Sequence, residues 1–544
     1  MSAAPQYAVP KPYASARWWL GSWPPVIAAA LLLAPVGFVL ASLFSGLGDV
    51  QQHIWATTGP RYLAGTLLLC VLVGAGATLI GAGAASLVAL TSFPGRRFLG
   101  AALVLPFAVP AYIAAYAYAD FLGPFGPVAT LLGGPGAEAA RLIPNIRSIV
   151  GAGFILALST YAYVYLAMRA SLEARSAAYL EAARSLGARP MEAARFVMLP
   201  IGRAALAGGL ALALMETVAE FGVADYFGVP TLSVGIFRTW YGFGDLAAAS
   251  QIAAGLFLIA LVLTLVEQAS RRGLAAEGAR GGREPARIRL TGAAALGAFV
   301  FCAAPPLFGF AIPAGVLLSK LAGPAASVAQ GSFATMAARA ALNTFVLACA
   351  VSIIGIVVAA ALALAARRGR HSLAVRIATL GYALPGAMLA IGVLAAATAL
   401  REQTGVLIGG MTVLVYAMTI RFLTAGYNAV SGGLSQIHPL TDDAARMLGA
   451  RPSAIAARIH LPLSGRAIAA GALVIFIDVA KELPATLLLR PFNFETLATQ
   501  AYRLASDERF AESAPAALIL IAVSLIPVIW LNAFSSRKRR QPAD

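Results

Sequence analysis

Charge is scarce in this 544-residue chain. Only 12% of its residues are Asp, Glu, Lys or Arg, against 60% hydrophobic. Soluble domains carry roughly a quarter charged residues, and a mean hydropathy of +0.81 removes that class. Lysine is nearly missing: Lys11, Lys320, Lys481 and Lys538 are the whole set, and none sits in a Gly-rich loop. No Gly-x4-Gly-Lys-Ser/Thr stretch occurs, so nothing here cradles a nucleotide phosphate. The three cysteines, Cys70, Cys302 and Cys349, lie far apart inside apolar runs, which excludes a disulfide framework or a cysteine metal cluster. The four histidines (His53, His371, His438, His460) are scattered, with no His-Glu-x-x-His. Enzyme chemistry within the chain is not expected, and no cofactor is expected in it.

What the chain has is long apolar runs. They fall near 24–44, 62–90, 98–121, 148–170, 204–226 and 248–268, then near 291–318, 340–366, 375–399, 405–431, 467–489 and 514–534. About 20 apolar residues cross a bilayer as a helix. The pattern predicts an all-α integral membrane protein with about 12 transmembrane helices. Lys11 and Arg17 precede a first run too long for a signal-peptide core, so 24–44 reads as the first membrane helix. The net charge of +17 does not point to nucleic acid, because its arginines cluster in short loops between apolar runs. That placement orients a multi-pass protein. With both termini inside, the inner segments hold Arg96 and Arg97, the Arg271–Arg287 stretch, Arg367, Arg368, Arg370 and the basic tail at Arg537–Arg540.

The chain repeats itself, six runs and six. A polar stretch follows the fourth run of each half. The first reads Glu181-Ala182-Ala183-Arg184-Ser185-Leu186-Gly187-Ala188-Arg189-Pro190, with Leu199-Pro200 beyond. The second reads Asp443-Ala444-Ala445-Arg446-Met447-Leu448-Gly449-Ala450-Arg451-Pro452, with Leu461-Pro462 beyond, at an offset of 262 residues. Alanine and the acid favour helix, Gly187 and Gly449 favour a left-handed stop, and each proline can open a new first turn. Leu105-Pro106 is echoed by Leu384-Pro385. The expected organisation is a tail and first helix over 1–60, a first repeat unit over 61–268, a basic linker and seventh helix over 269–339, a second unit over 340–534 and a basic tail over 535–544.

Acids inside apolar runs are expensive, about 2.5–3.5 kcal/mol each at a helix centre. Glu216 and Glu220 stand one turn apart in the fifth run, and Asp478 and Glu482 repeat that spacing in the eleventh. One residue inserted after the second Leu-Pro makes their correspondence approximate. They read either as the lining of a polar passage between the halves or as structural ion pairs, with Lys481 a partner for Asp478 or a neighbour. Arg421 in the tenth run takes the same two readings. Carboxylates with Tyr118 and Tyr226 nearby suit a hard cation.

The acid-Ala-Ala, Gly, Leu-Pro pattern, found twice, resembles the coupling loop of permease subunits of binding-protein-dependent ABC importers. Leu105–Tyr112, Glu216–Tyr226, Gly235–Tyr241, Lys481–Phe494 and Ala505–Arg509 resemble the ferric-iron branch of that family. The resemblance implies two permease halves fused in one chain, in the bacterial inner membrane with both termini cytoplasmic. It implies that Glu181, Ala182, Ala183, Gly187, Asp443, Ala444, Ala445 and Gly449 dock on two copies of a cytoplasmic ATPase subunit, which binds ATP and magnesium. A periplasmic binding protein would deliver the substrate, ferric iron by this likeness. Thiamine or a phosphonate are the alternatives within the class, and a proton-driven secondary transporter is the alternative outside it.

Overall fold

The computed structural model describes residues 23–46, 48–134, 138, 142–187, 192, 200, 202–276, 287–322, 332–368, 372–381 and 384–537. For 23–24, 174–184, 271–276, 322, 332–334, 372 and 527–537 this extends to the backbone alone.

The described chain is almost wholly helical, with a single two-residue parallel pairing, Thr91–Ser92 with Ile288–Arg289. Helix occupies every apolar run. Among the described residues seven helices are long and apolar enough to cross a bilayer, or up to nine if two bent pairs count as spans. The remaining runs are shorter, bent or only partly described, so twelve spans are not established. One break, of 93°, separates Arg96–Ala108 from Ala111–Phe121. It falls at Val109-Pro110, where the proline nitrogen cannot donate and the residue before it is pushed to extended backbone.

Small residues set the packing within each half. Gly59–Leu90 and Ile149–Ser185 run parallel, with Gly76 against Ala157, Gly81 against Val164 and Gly153 against Leu72. Ser332–Arg367 and Gly410–Ser435 run parallel in the second half, with Gly426 against Ala359. Close approach of this kind stands in for the hydrophobic effect, which lipid does not supply between helices. The pairing also brings the ends at Leu90 and Ser185 to one side of the first bundle, and those at Arg367 and Ser435 to one side of the second.

The repeat extends to single hydrogen bonds. Thr66 Oγ1 accepts from Leu232 N at 2.9 Å, and Thr344 Oγ1 accepts from Leu497 N at 2.8 Å. Both hydroxyls are buried and donate to the carbonyl one turn back in their own helix.

The first helix of each half packs on the other half. Trp23–Ala41 lies against 372–404, and Tyr416 donates to Leu31 O. In the same way Gly309 sits against Pro106, and Tyr118 donates to Phe308 O at 2.7 Å. Lys320 pairs with Asp120 at 2.7 Å. Tyr118 is thereby committed to a helix contact away from the intramembrane acids.

Candidate functional site: a central acidic cavity and the repeated polar stretches

The helices Arg203–Ala219 and Gly465–Lys481 are each 17 residues long and begin and end at the same offset of 262. The inserted residue suggested by the sequence is therefore not expressed in the helices, and Glu216 matches Asp478 while Glu220 matches Glu482. Glu220 and Glu482 are the C-cap residues. Their backbones turn extended, with φ, ψ of −69°, 130° and −65°, 123°. Glu220 Oε1 accepts from Val223 N at 3.0 Å and Glu482 Oε1 from Ala485 N at 3.1 Å, so each carboxylate also starts the next short helix. Two helix breaks thus deliver two acids to the middle of the bundle.

All four sequence-predicted acids line one cavity of about 150 Å³ at the meeting of the halves. Glu216 is exposed to its interior, Asp478 is half-buried and Glu482 is buried. Arg421 and Lys481 are the basic residues in the wall, which leaves the carboxylates in excess by two. Arg421 pairs with Glu482 at 3.3 Å and donates to Leu384 O at 3.2 Å. Gly386 makes room for that pair, since a Cβ there would lie 2.5 Å from both Arg421 Nη1 and Glu482 Oε1. Lys481 reaches across to the first half, donating to Phe107 O at 3.4 Å with its ammonium 5.7 Å from the Phe107 ring centre. Among the described residues no ion pair engages Glu216, Glu220 or Asp478. Glu482 is thus both ion-paired and part of the cavity lining, which it shares with the other three acids.

The ends of the cavity wall include two prolines in matching roles. Pro110 and Pro385 are both N-caps with almost the same backbone, φ, ψ of −55°, 136° and −57°, 138°. Pro385 therefore corresponds to Pro110, and the Leu105-Pro106 echo read from the sequence is replaced. The neighbouring phenol is Tyr112, which the sequence reading did not select. Its hydroxyl and that of Tyr116 one turn on are buried without a hydrogen-bond partner among the described residues. From Tyr116 the rings continue to Tyr226 (4.5 Å between centres) and Tyr502 (6.4 Å). Tyr226 takes a hydrogen bond from Arg147 at 3.2 Å, and Tyr502 donates to Asp225. Among the described residues no three of His, Cys, Asp and Glu converge as a metal-ligand set.

The second polar stretch is the helix Pro439–Met447. It ends as the sequence predicts: Gly449 has φ 79°, Gly449 N donates to Arg446 O and Ala450 N to Ala445 O, the paired bonds of a left-handed helix stop. Pro452 opens the next short helix. Asp443 and Ala444 are exposed, Ala445 is buried, and Asp443 pairs with Arg446 at 2.9 Å. Leu440, Met447 and Leu448 are also exposed, at 66%, 88% and 89%, an apolar surface on a polar helix. In the first copy Gly187 has φ 83°. Glu181, Ala182 and Ala183 lie in the Ile149–Ser185 helix, and their side chains fall outside the described residues.

Asp442, which the sequence reading passed over, anchors this helix. It accepts from Arg367 Nε at 3.0 Å and meets His460 Nε2 at 2.8 Å. Arg367 also donates to Leu434 O at 2.6 Å and Ile437 O at 2.9 Å. Burial alone raises the Asp442 carboxyl, but the hydrogen bonds from Arg367 and His460 override it and hold it below the usual carboxylate range. The counterparts of Asp442 and His460 at the 262-residue offset are Leu180 and Met198, so the signal was an asymmetry between the repeats.

No family model matches the chain. The Fe(3+)-transport system permease protein FbpB 2 of Haemophilus influenzae is 23% identical over 523 residues, which cover 95% of this chain and 98% of that protein. The sulfate transport system permease protein CysT of Salmonella typhimurium is 28% identical over 261 residues, 89% of that protein but 44% of this chain. One likeness spans both repeats and the other fills less than half the chain. Over both of its repeats the chain is similar to ABC-transport permeases. The probable ABC transporter permease protein y4fN of Sinorhizobium fredii is 25% identical over 82% of each chain.

Proposed function

We propose that this chain is the membrane subunit of an importer that moves ferric iron from the periplasm to the cytoplasm, with ATP and magnesium bound and ATP hydrolysed on two separate subunits. The observation that carries the substrate class is the central cavity, where four carboxylates face two basic groups and the Tyr112 phenol stands beside them. Ferric iron prefers oxygen ligands of this kind. The relative named for Fe(3+) transport supports the choice over its whole length. Relatives named for sulfate and 2-aminoethylphosphonate transport handle anionic groups, which an acidic excess disfavours. Thiamine is the second reading, favoured by the rings of Phe107, Tyr112 and Tyr163 around an acidic space, which suits an aromatic cation.

Alternating access is the mechanism of this reading. A periplasmic binding protein delivers the ion at the far end of the bundle. The helix Pro439–Met447 and its first-half counterpart at Glu181–Gly187 take up movement of the ATPase subunits. In the second half that movement passes from Asp442 to Arg367, which is fixed to the end of the Ser332–Arg367 helix and hydrogen-bonded to Leu434 and Ile437. The Gly410–Ser435 helix leads back to Arg421 and Phe422 in the cavity wall. Both termini lie on the cytoplasmic side of the inner membrane in this reading.

The test is uptake of radiolabelled ferric iron, thiamine and sulfate by cells lacking the chain and by the same cells with it restored. Restoration of iron uptake alone supports the assignment. Restoration of thiamine or sulfate alone moves the substrate and leaves the permease.

A further inference from the structure

The end of the bundle that carries the coupling stretches has a second opening, lined by arginine. Its described lining holds Arg96, Arg97, Arg287 and Arg289, with no acid among them, around a space of about 700 Å³. The other charged spaces differ: the central cavity mixes acids and bases, and the cleft at Arg490 and Arg503 contains Glu495 between them. Chain segments far apart in sequence make the arginine pocket. The loop after the Gly59–Leu90 helix pairs with the segment entering the Gly292–Pro306 helix, Thr91 with Ile288 and Ser92 with Arg289, and Leu290 N donates to Ser92 O at 3.0 Å. Arg96 is buried and braced on Val88 O at 2.8 Å, while Arg97 and Arg289 are exposed.

Backbone pairing brings the segments of Arg97 and Arg289 together, and the field of these two exposed guanidinium groups draws an anion. Arginine forks match phosphate oxygens two at a time. The location decides which phosphate. The pocket sits where two apolar helices long enough to span a bilayer end, Gly59–Leu90 and Gly292–Leu321. Its lip is apolar and exposed: Phe98 at 75%, and on one face of the adjoining helix Leu296 at 64%, Phe299 at 41% and Val300 at 56%, with Phe299 packed on Gly95. We propose that this pocket binds the phosphate of an anionic phospholipid, whose acyl chains lie along Leu296, Phe299 and Val300. The bound headgroup ties the linker between the halves to the loop after the second helix.

The test uses the full chain, purified in detergent and stripped of lipid, with binding of dioleoylphosphatidylglycerol and dioleoylphosphatidylcholine read by native mass spectrometry. A basic residue near an anionic surface contributes about 1 kcal/mol, roughly fivefold in affinity. Phosphatidylglycerol should therefore bind at least about tenfold tighter than phosphatidylcholine. Arg97→Gln with Arg289→Gln should remove that preference, Arg97→Lys with Arg289→Lys should keep most of it, and Arg339→Gln elsewhere on the surface should leave it intact. If the double Gln variant lacks a cooperative melt, the two single variants carry the test, each losing roughly fivefold. Equal binding of the two lipids, or a preference that survives the Gln changes, overturns the proposal. Displacement of phosphatidylglycerol by millimolar inorganic phosphate overturns it too, making the pocket a soluble-anion site.

Discussion

Glu220 and Glu482 hold the same place in the two halves and have different company. Each ends its helix and caps the next, but Glu482 alone is ion-paired, to Arg421 at 3.3 Å. The position of Arg421 at the 262-residue offset is Ser159, which also lines the cavity. A symmetric scaffold therefore presents an asymmetric charge pattern to whatever passes between its halves.

Glu482 is buried, and removing its partner leaves an uncompensated charge. Arg421→Met should cost about 3–5 kcal/mol of stability, read as a lower melting temperature in detergent. Arg421→Met combined with Glu482→Gln should recover much of that loss. An additive double variant contradicts the pairing.

Glu220 has no such partner among the described residues, so Glu220→Gln should act on transport and not on the fold. We expect at least a tenfold loss of substrate uptake, the scale of about 1.4 kcal/mol, with a melting temperature near that of the parent. A matching loss of stability would make Glu220 a structural residue.

Asp442 gives a pH prediction with a definite sign. Its carboxyl is held below the usual range, so ionised Asp442 favours the folded state above the unfolded carboxylate pKa of about 3.9. That contribution is lost as pH falls through the lowered folded value. Asp442→Asn should cost about 1–3 kcal/mol at neutral pH, and the difference from the parent should vanish only well below about pH 4. The measurement is stability against pH for both proteins. A difference that disappears near pH 6 would locate the effect elsewhere.

The coupling helices can be tested by charge reversal. Glu181→Lys and Asp443→Lys should weaken co-purification of the ATPase subunit while the chain stays folded in the membrane. Met447→Ser with Leu448→Ser should do the same in the second half, because those side chains are 88% and 89% exposed. Normal co-purification in all of these variants would remove the coupling assignment.

Local chemistry was legible in the sequence, and distant partnerships were not. Gly187 and Gly449 declare their left-handed backbones because few other residues tolerate them. The acids at Glu216, Glu220, Asp478 and Glu482 stand out because hydrocarbon makes them costly. Arg367 looked like one more inner-loop arginine, since nothing local says that its carboxylate is 75 positions away at Asp442. Tyr118 and Tyr226 were selected by closeness in sequence, yet Tyr112 and Tyr163 are the phenols at the cavity: Tyr112 stands just past the 93° bend, and Tyr118, six residues further along the same helix, presents another face. The same bend moved the proline correspondence from Pro106 to Pro110. Helix breaks inside apolar runs carry no periodic signal, so counting runs does not by itself fix the number of spans.

The central claim is that a separate ATPase drives a cation through the acidic cavity. Its most direct test is accumulation of radiolabelled ferric iron in cells carrying the restored chain, with ATP depleted in one arm and the proton gradient collapsed at preserved ATP in the other. Loss of accumulation on ATP depletion, and its persistence without the proton gradient, is the predicted result. Accumulation that survives ATP depletion and fails with the gradient would contradict the claim and make the chain a secondary transporter.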